Sequence, residues 1–536
     1  MHKTFVAALA AVVFLIGATE TSWSQTDAID LLIKNARVVD GTGAPAYQGD
    51  IAIRGDTILR IAPRIDGAAT KIVDARGKVL APGFIDIHVH ARETLFKVPT
   101  ADNYVRQGVT TLIEGPDGAS PLPIGSFLER VAAAHVVPNF GLFVGQGSVR
   151  DSVLGTVDRH ATPAELDQMR KIVRQAMTDG AFGLSTGLFY VPGAFTSTDE
   201  VVELAKVAGQ MHGIHVSHMR DEASRVLDSV RETIEIGEKG GLPTQITHHK
   251  IIGALNWGKS VDTLRMVDEA RARGVDVTID QYPYTASSTS IHAALVPAWA
   301  NEGGRARLLE RLKDASARSR IRAETIRLIK EERGGGDPGN VQISACEWDP
   351  ALAGKRLSEV TRSRKLEPTV ENAADTVLWM IEQGECFAIF HAINEADLQR
   401  ILQHPMTMVG SDGSIPIFGQ ASPHPRSYGT FVRVLGRYVR ELKVLTLEDA
   451  VRKMSGSPAR RLGLADRGLL KQGLKADLVL FDPDTVRDSA TFEKPHQYAE
   501  GVLLVVINGE AVFENGAMTA ARPGHILYGP GHEPRD

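Results

Sequence analysis

The stretch GFIDIHVH, residues 83–90, is a short apolar run that ends on two histidines, and it opens a series of runs of the same kind. GVTTLIEG (108–115), NFGLFVGQG (139–147), GAFGLSTG (180–187), GIHVSHM (213–219), LPTQITHHK (242–250), VDVTIDQYPY (275–284) and MTMVGSDG (406–413) follow it, separated mostly by segments with helical periodicity. Strand then helix, repeated, predicts parallel βα units and an α/β chain. Eight such runs between residues 84 and 464 fit a TIM-like (β/α)8 barrel, whose active site lies where the strands end. Two segments break the rhythm. CFAIFHAI (386–393) is a candidate ninth strand, and the charged, helical stretch from about 290 to 349 is expected to be an insertion over the barrel mouth.

Outside that series the pattern changes to short alternating strands. DLLIKNARVVDGTG (30–43), DIAIRGDTILRIA (50–62) and KIVDARGKVLAPG (71–83) resemble hairpins, and the pattern returns in GLKADLVLFDPDTV (473–486) and GVLLVVINGEAVFENG (501–516). The two ends are therefore expected to pair into one small β-sandwich domain, residues 26–83 with 465–527, interrupted by the barrel. Residues 528–536 are expected to be a loose polar tail. Residues 1–25 have a short basic start at His2 and Lys3, an apolar stretch of about 13 residues from Phe5 to Gly17, and small residues at Ser22 and Ser24. That is the pattern of a signal peptide and is well short of the ~20 apolar residues that span a bilayer. The expected location is periplasmic or secreted, with no stable membrane anchor after cleavage. Only Cys346 and Cys386 are present, so at most one disulfide can form and stability must come from packing.

Composition narrows the function classes. Of 536 residues, 43% are hydrophobic and 23% charged, and 51 glycines punctuate the chain, as in a soluble globular enzyme. The formal charge is −5 with both signs interspersed, which leaves no basic face for nucleic acid and no polybasic membrane patch.

The chemistry collects at the strand ends. Alternation along a strand puts His88 and His90 on one side, where both rings can grip one ion. His218, His248 and Asp412 each end a further run, so all five converge on one mouth. Imidazole and carboxylate together suit zinc, one or two ions, with Mn2+ or Co2+ as alternatives. His249 and Tyr284 should alternate to the opposite face, and His215 is expected to be a core histidine.

This constellation resembles the amidohydrolase superfamily, and more closely its N-acyl-D-amino-acid deacylase (D-aminoacylase) family. The distinguishing stretches are LAPGFIDIHVH, GLSTGLFYVPG, HVSHMRDE, ITHHK, DQYPYTASST, GSDG, HPRSYGTFVRVLG, LTLEDAVRKMSGSPARRLGL, KADLVLFDPDTVRDSATF and PHQYAEGV, which span nearly the whole mature chain. The resemblance implies hydrolysis of a linear amide in an N-acyl-D-amino acid by metal-activated hydroxide. In that scheme Asp412 takes the water's proton and later delivers it to the leaving amine. It also implies that Tyr190, Lys250, Tyr282 and Arg426 lie near the substrate's carboxylate and scissile carbonyl. In one respect the sequence departs from the family. Where the deacylases carry a metal-bridging cysteine in a Gly-Asn-Cys-Gly turn, this chain has Gly115, Pro116, Asp117, Gly118. Asp117 is the favoured replacement ligand, with Glu114 the other candidate, and no lysine stands on the fourth strand to be carboxylated. The competing readings are a dipeptidase or amidase on other carboxylate-bearing or xenobiotic amides, and a non-catalytic metal-binding protein.

Overall fold

The computed structural model describes residues 28–534, so the expected signal peptide lies outside the described residues. The alternating terminal segments form a nine-stranded sheet to which both chain ends contribute. Its seam is the antiparallel pairing of Leu478–Phe481 with Val79–Pro82, Leu480 opposite Leu80. Leu31, Ile33, Ile51, Leu80, Leu478 and Val506 form the buried face. Asn508-Gly509, both at positive φ (46° and 82°), turns Val502–Ile507 back into Glu510–Glu514, the Asn-Gly hairpin that a right-twisted ribbon favours.

The central runs are strands, and every neighbour pairing among them is parallel. Phe84–Asp86 pairs with Val109–Glu114, which pairs with Asn139–Leu142. Val144–Gly145, Gly183–Gly187, Ile214–His218, Thr244–Ile246, Val277–Gln281 and Thr407–Val409 pair in that order. Gly413–Ser414 then pairs with Val89–His90. The intervening helices have legible ends. Pro163–Thr178 starts with a Thr162–Glu165 capping box and proline in the first turn, and it buries Met169, Val173 and Met177. Each of those side chains contributes about 1.5–3 kcal/mol on leaving water.

Three segments differ from the sequence expectation. Cys386–Phe390 is not a ninth member of the parallel series. It is the middle strand of a separate antiparallel sheet, between Ser287–Ser290 and Val341–Cys346. The inserted region consequently runs past residue 349 to about 390. Its helices Gly304–Lys313, Ala315–Leu328 and Val370–Gln383 share one core with that sheet through Leu312, Ile321, Ile343, Leu378 and Phe390. Cys346 and Cys386, register partners on adjoining strands, are joined by a disulfide. The final segment, as far as residue 534, is not loose. The amides of Gly529 and Glu533 bond to the carbonyls of Gly180 (2.8 Å) and Thr178 (3.1 Å), and Tyr528 stacks on His532, so the backbone is satisfied against the end of a helix.

One buried node ties the terminal sheet to the parallel strands. Asp477 accepts hydrogen bonds from Arg467 (2.5 Å), the Asn508 amide (2.8 Å) and the Asn139 side chain (3.1 Å), and Asn139 begins a parallel strand. Removing one partner of a buried pair strands the other charge. Asp477→Ala is therefore expected to lower the unfolding free energy by about 3 kcal/mol in denaturant titration. A loss below about 1 kcal/mol would show that Arg467 finds another partner.

Candidate metal centre

Because the strands are parallel, their C-terminal ends bring distant residues together. His90 and His218 are the last residues of Val89–His90 and Ile214–His218, while Asp117, His248 and Asp412 lie two or three residues past Val109–Glu114, Thr244–Ile246 and Thr407–Val409. Asp117 (φ 57°), His248 (φ 34°) and Asp412 (φ 52°) are all in the left-handed region, which non-glycine residues enter only where surrounding structure holds them.

Asp117 is the hub of the cluster. Its Oδ2 lies 3.4 Å from His88 Nε2, 3.4 Å from His90 Nε2 and 3.7 Å from His218 Nδ1, and its Oδ1 lies 3.3 Å from His248 Nε2. Asp412 Oδ1 completes the cluster, 3.0 Å from His90 and 3.6 Å from His88. Two ligand sets result, His88–His90–Asp117–Asp412 and Asp117–His218–His248, and they share Asp117. Glu114 is turned elsewhere, its carboxylate accepting the amides of Ala91 and Arg92. The set fits a divalent cation on its own chemistry. His88 is fully buried with neither ring nitrogen hydrogen-bonded, and Asp117 Oδ1 likewise has no hydrogen-bond donor. Buried polar groups left so are costly, and an ion shared among them would satisfy them.

A second layer orients these groups, and the sequence reading did not single it out. Asp280, fully buried, accepts the His248 amide (2.7 Å) and the Gln245 side chain (2.5 Å) and sits 3.5 Å from His88 Nδ1. Glu222 lies 3.2 Å from His248 Nδ1 and 3.9 Å from His218 Nε2. Carboxylates behind metal-ligating imidazoles set ring orientation and tautomer. Glu222 stands four residues after His218, and Asp280 is the penultimate residue of Val277–Gln281, two before Tyr282; both spacings are visible in the sequence but ambiguous without the fold.

The cluster floors a cavity of about 690 Å³. The Tyr190 hydroxyl shares a hydrogen bond with Thr289 (3.1 Å), and its ring lies 4.7 Å from that of His218. Tyr282 is buried with its hydroxyl unpartnered, its ring 4.9 Å from the Arg426 guanidinium. Arg426 is already engaged, donating to Asp412 Oδ2 at 2.7 Å. Lys250 is more fully committed than a point charge waiting for substrate. Its Nζ donates to Glu222 (2.5 Å) and to the His248 carbonyl (2.9 Å) and lies 2.6 Å from His248 Nδ1. The three side chains kept out of the site are all elsewhere. His215 lies between Thr186 and Thr244, His249 bonds Thr263, and the Tyr284 hydroxyl reaches the Pro425 carbonyl.

Charge follows this geometry. Burial pushes the Asp412 carboxyl up, but Arg426, His90 and His88 outweigh it and hold the group well below the usual carboxylate range. Burial pulls His90 down, yet Asp117 and Asp412 push it up to about 9. His88 is likewise raised by Asp117 and Asp280 against its burial, whereas burial holds His218 down. Burial also works against the Glu222 carboxylate, and Lys250 with the two histidines overcomes it.

The sequence matches the amidohydrolase family over residues 71–513. It is 35% identical to the D-aminoacylase of Alcaligenes xylosoxydans xylosoxydans, covering 94% of this chain and 99% of that one. Among solved structures, a D-aminoacylase with a binuclear metal centre superposes with a TM-score of 0.80 at 34% identity, over 93% of this chain and all of that one. The N-acyl-D-glutamate deacylase of Bordetella bronchiseptica, complexed with zinc and a phosphonate mimic of the tetrahedral intermediate, gives the same TM-score and identity over 94% of this chain and all of its own. This chain belongs to the amidohydrolase family and, within it, to the N-acyl-D-amino-acid deacylases.

Proposed function

We propose that this protein is a metal-dependent hydrolase that deacylates N-acyl-D-amino acids to a carboxylate and a free amino acid. The carrying observation is the pair of ligand sets joined at Asp117 beside an ionised Asp412. The family membership and the activities named for its relatives support the same reading. For the fold we propose a closed (β/α)8 barrel, with the Gly413–Ser414 to Val89–His90 pairing as its closing seam, and a small β-sandwich built from both chain ends. We also propose export to the periplasm or beyond, on the character of residues 1–25 and on the Cys346–Cys386 disulfide, a bond suited to an oxidising compartment.

His88, His90, Asp117 and Asp412 would hold one divalent ion and Asp117, His218 and His248 a second, with zinc first and manganese or cobalt favoured by the extra oxygen ligand. Such an ion supplies a water of lowered pKa and polarises the scissile carbonyl. The chain's own residues do the rest. Asp412 is ionised at neutral pH, so its carboxylate can accept the proton of the attacking water and pass it to the leaving nitrogen. Arg426 fixes Asp412 through one nitrogen and, with Tyr190, lines the side of the site where the substrate's carboxylate and carbonyl are to be held, with the Tyr282 ring packed against its guanidinium. Lys250 and Glu222 hold the His248 ring.

The zinc-loaded protein is expected to release amino acid from N-acetyl-D- but not N-acetyl-L-amino acids. Asp412→Asn should lower kcat about 10³-fold while metal remains at Asp117, His218 and His248 by elemental analysis. Bound metal with neither series hydrolysed would move the assignment to a dipeptidase or other amidase, and absent metal would remove the site.

Protons compete with metal here. In the metal-free protein His90 titrates near 9, above its unfolded value of about 6.5. Its contribution to stability is thus complete below pH ~6.5 and is lost as pH rises through 9. Asp117 and Asp412, held low, lose theirs only in acid, and His218, held down, opposes the trend only near its unfolded value of about 6.5 and is neutral in both states well above it. The Tm of the metal-free protein should therefore fall from pH 6.5 to 9 while the gap to the zinc-loaded form widens. A constant gap in scanning calorimetry would contradict the assigned ligands.

A further inference from the structure

Arg333 ends the inserted region's π-helical turn Ile329–Arg333 and is only 3% exposed, yet it lines the same cavity as the metal centre. Its guanidinium lies 5.0 Å from the ring of Phe189, which stacks on His218 at 5.5 Å. Among the described residues no carboxylate comes within ion-pair reach of Arg333 and no acceptor bonds its nitrogens; Nε is buried outright without a partner. The cavity's other buried cations are matched, Arg426 by Asp412 at 2.7 Å and Lys250 by Glu222 at 2.5 Å. Glu332, next in the chain, is taken by Arg327 at 2.8 Å. A guanidinium keeps its charge when buried, and a buried charge without a counter-ion is costly, so the open side of Arg333 is built for an anion arriving through the cavity. Tyr282, whose hydroxyl is also buried and unpartnered, feels the field of both Arg426 and Arg333. Ser287 Oγ on the cavity wall is a third polar atom in that condition.

We propose that Arg333 binds a second anionic group of the substrate, so that the preferred substrates are dianionic N-acyl-D-amino acids, the extra carboxylate being carried on the side chain or on the acyl group. This rests on the deacylase reading above and refines it. A planar fork on an aromatic face, shielded from water, recognises carboxylate in two-point fashion and discriminates strongly against a neutral isostere of the same shape.

The test compares N-acetyl-D-glutamate with N-acetyl-D-glutamine, and N-succinyl-D-leucine with N-acetyl-D-leucine, for the zinc-loaded wild type, Arg333→Met and Arg333→Lys. In one of the two pairs the wild-type kcat/KM should favour the charged member by about 30-fold, equivalent to about 2 kcal/mol. The pair that does so identifies where the second anion sits. Arg333→Met should bring that ratio close to one, mainly through KM, and Arg333→Lys should restore part of it. Ratios near one in both wild-type pairs, or a ratio unchanged by Arg333→Met, would overturn the proposal. Equal loss on charged and neutral substrates would also overturn it and leave Arg333 as a packing partner of Phe189. Should no N-acyl-D-amino acid be hydrolysed, the deacylase reading fails instead. Calorimetric titration with the same two pairs as unreacted ligands then still reads Arg333: in one pair the charged member must bind the wild type about 30-fold more tightly, and Arg333→Met must erase the difference.

Discussion

The carboxylate of Asp117 is the constraint around which the site is arranged. Four imidazoles from three different parallel strands close on its two oxygens at 3.3–3.7 Å, and they can do so only because the turn that carries it is held in a left-handed conformation. Glycines make the turn possible. A Cβ at Gly187 would lie 2.0 Å from the Asp117 carbonyl, and one at Gly118 would lie 2.5 Å from the Gly187 amide, so two adjoining strand ends approach backbone to backbone. A carboxylate here is common to the two groups of candidate ligands, and as an oxygen donor it is a hard one.

Holding three non-glycine residues at positive φ is unfavourable by about 1–2 kcal/mol each, and the surrounding polar network offsets it. Asp280 ties the His248 backbone, and Asp86 accepts the Ser411 and His88 amides at 2.9 and 3.2 Å. Burial raises Asp86 to about 7 even as those bonds act against the shift. The rigid sheet thus fixes the ligands, while the cavity wall is delegated to elements outside the parallel series. The inserted antiparallel sheet supplies Ser287, Ser288, Ala345 and Phe387, and the helical turn between its strands Ser287–Ser290 and Val341–Cys346 supplies Arg333. This division separates chemistry from selectivity: the strand ends can stay constant while the insertion changes what fits above them.

Much of this was legible along the chain. Apolar runs of constant length alternating with helical segments are a consequence of parallel pairing, and residues at the ends of such runs have only one place to go. His88, His90, His218, His248 and Asp412 could accordingly be read as one cluster, and the Gly-Pro-Asp-Gly turn marked Asp117 because it stands where the family it resembles carries a cysteine. The choice between Asp117 and Glu114 could not be made there. Glu114 ends the strand and Asp117 lies three residues past it, and the direction of each side chain, one toward four imidazoles and one toward two backbone amides, separates them.

The sequence by itself therefore determined the α/β class, the metal-ligating residue types and the family, since these depend on local periodicity and on residues at predictable strand ends. Tertiary structure decided the rest. It showed that Lys250 is spent on Glu222 and His248, that Arg426 is bonded to Asp412, that CFAIFHAI joins an antiparallel sheet with its neighbours in the insertion, and that Arg333 is left facing the cavity without a partner. Each of these is a question of which group finds which partner after folding. Distance and burial in the folded chain settle it, and one-dimensional spacing carries neither.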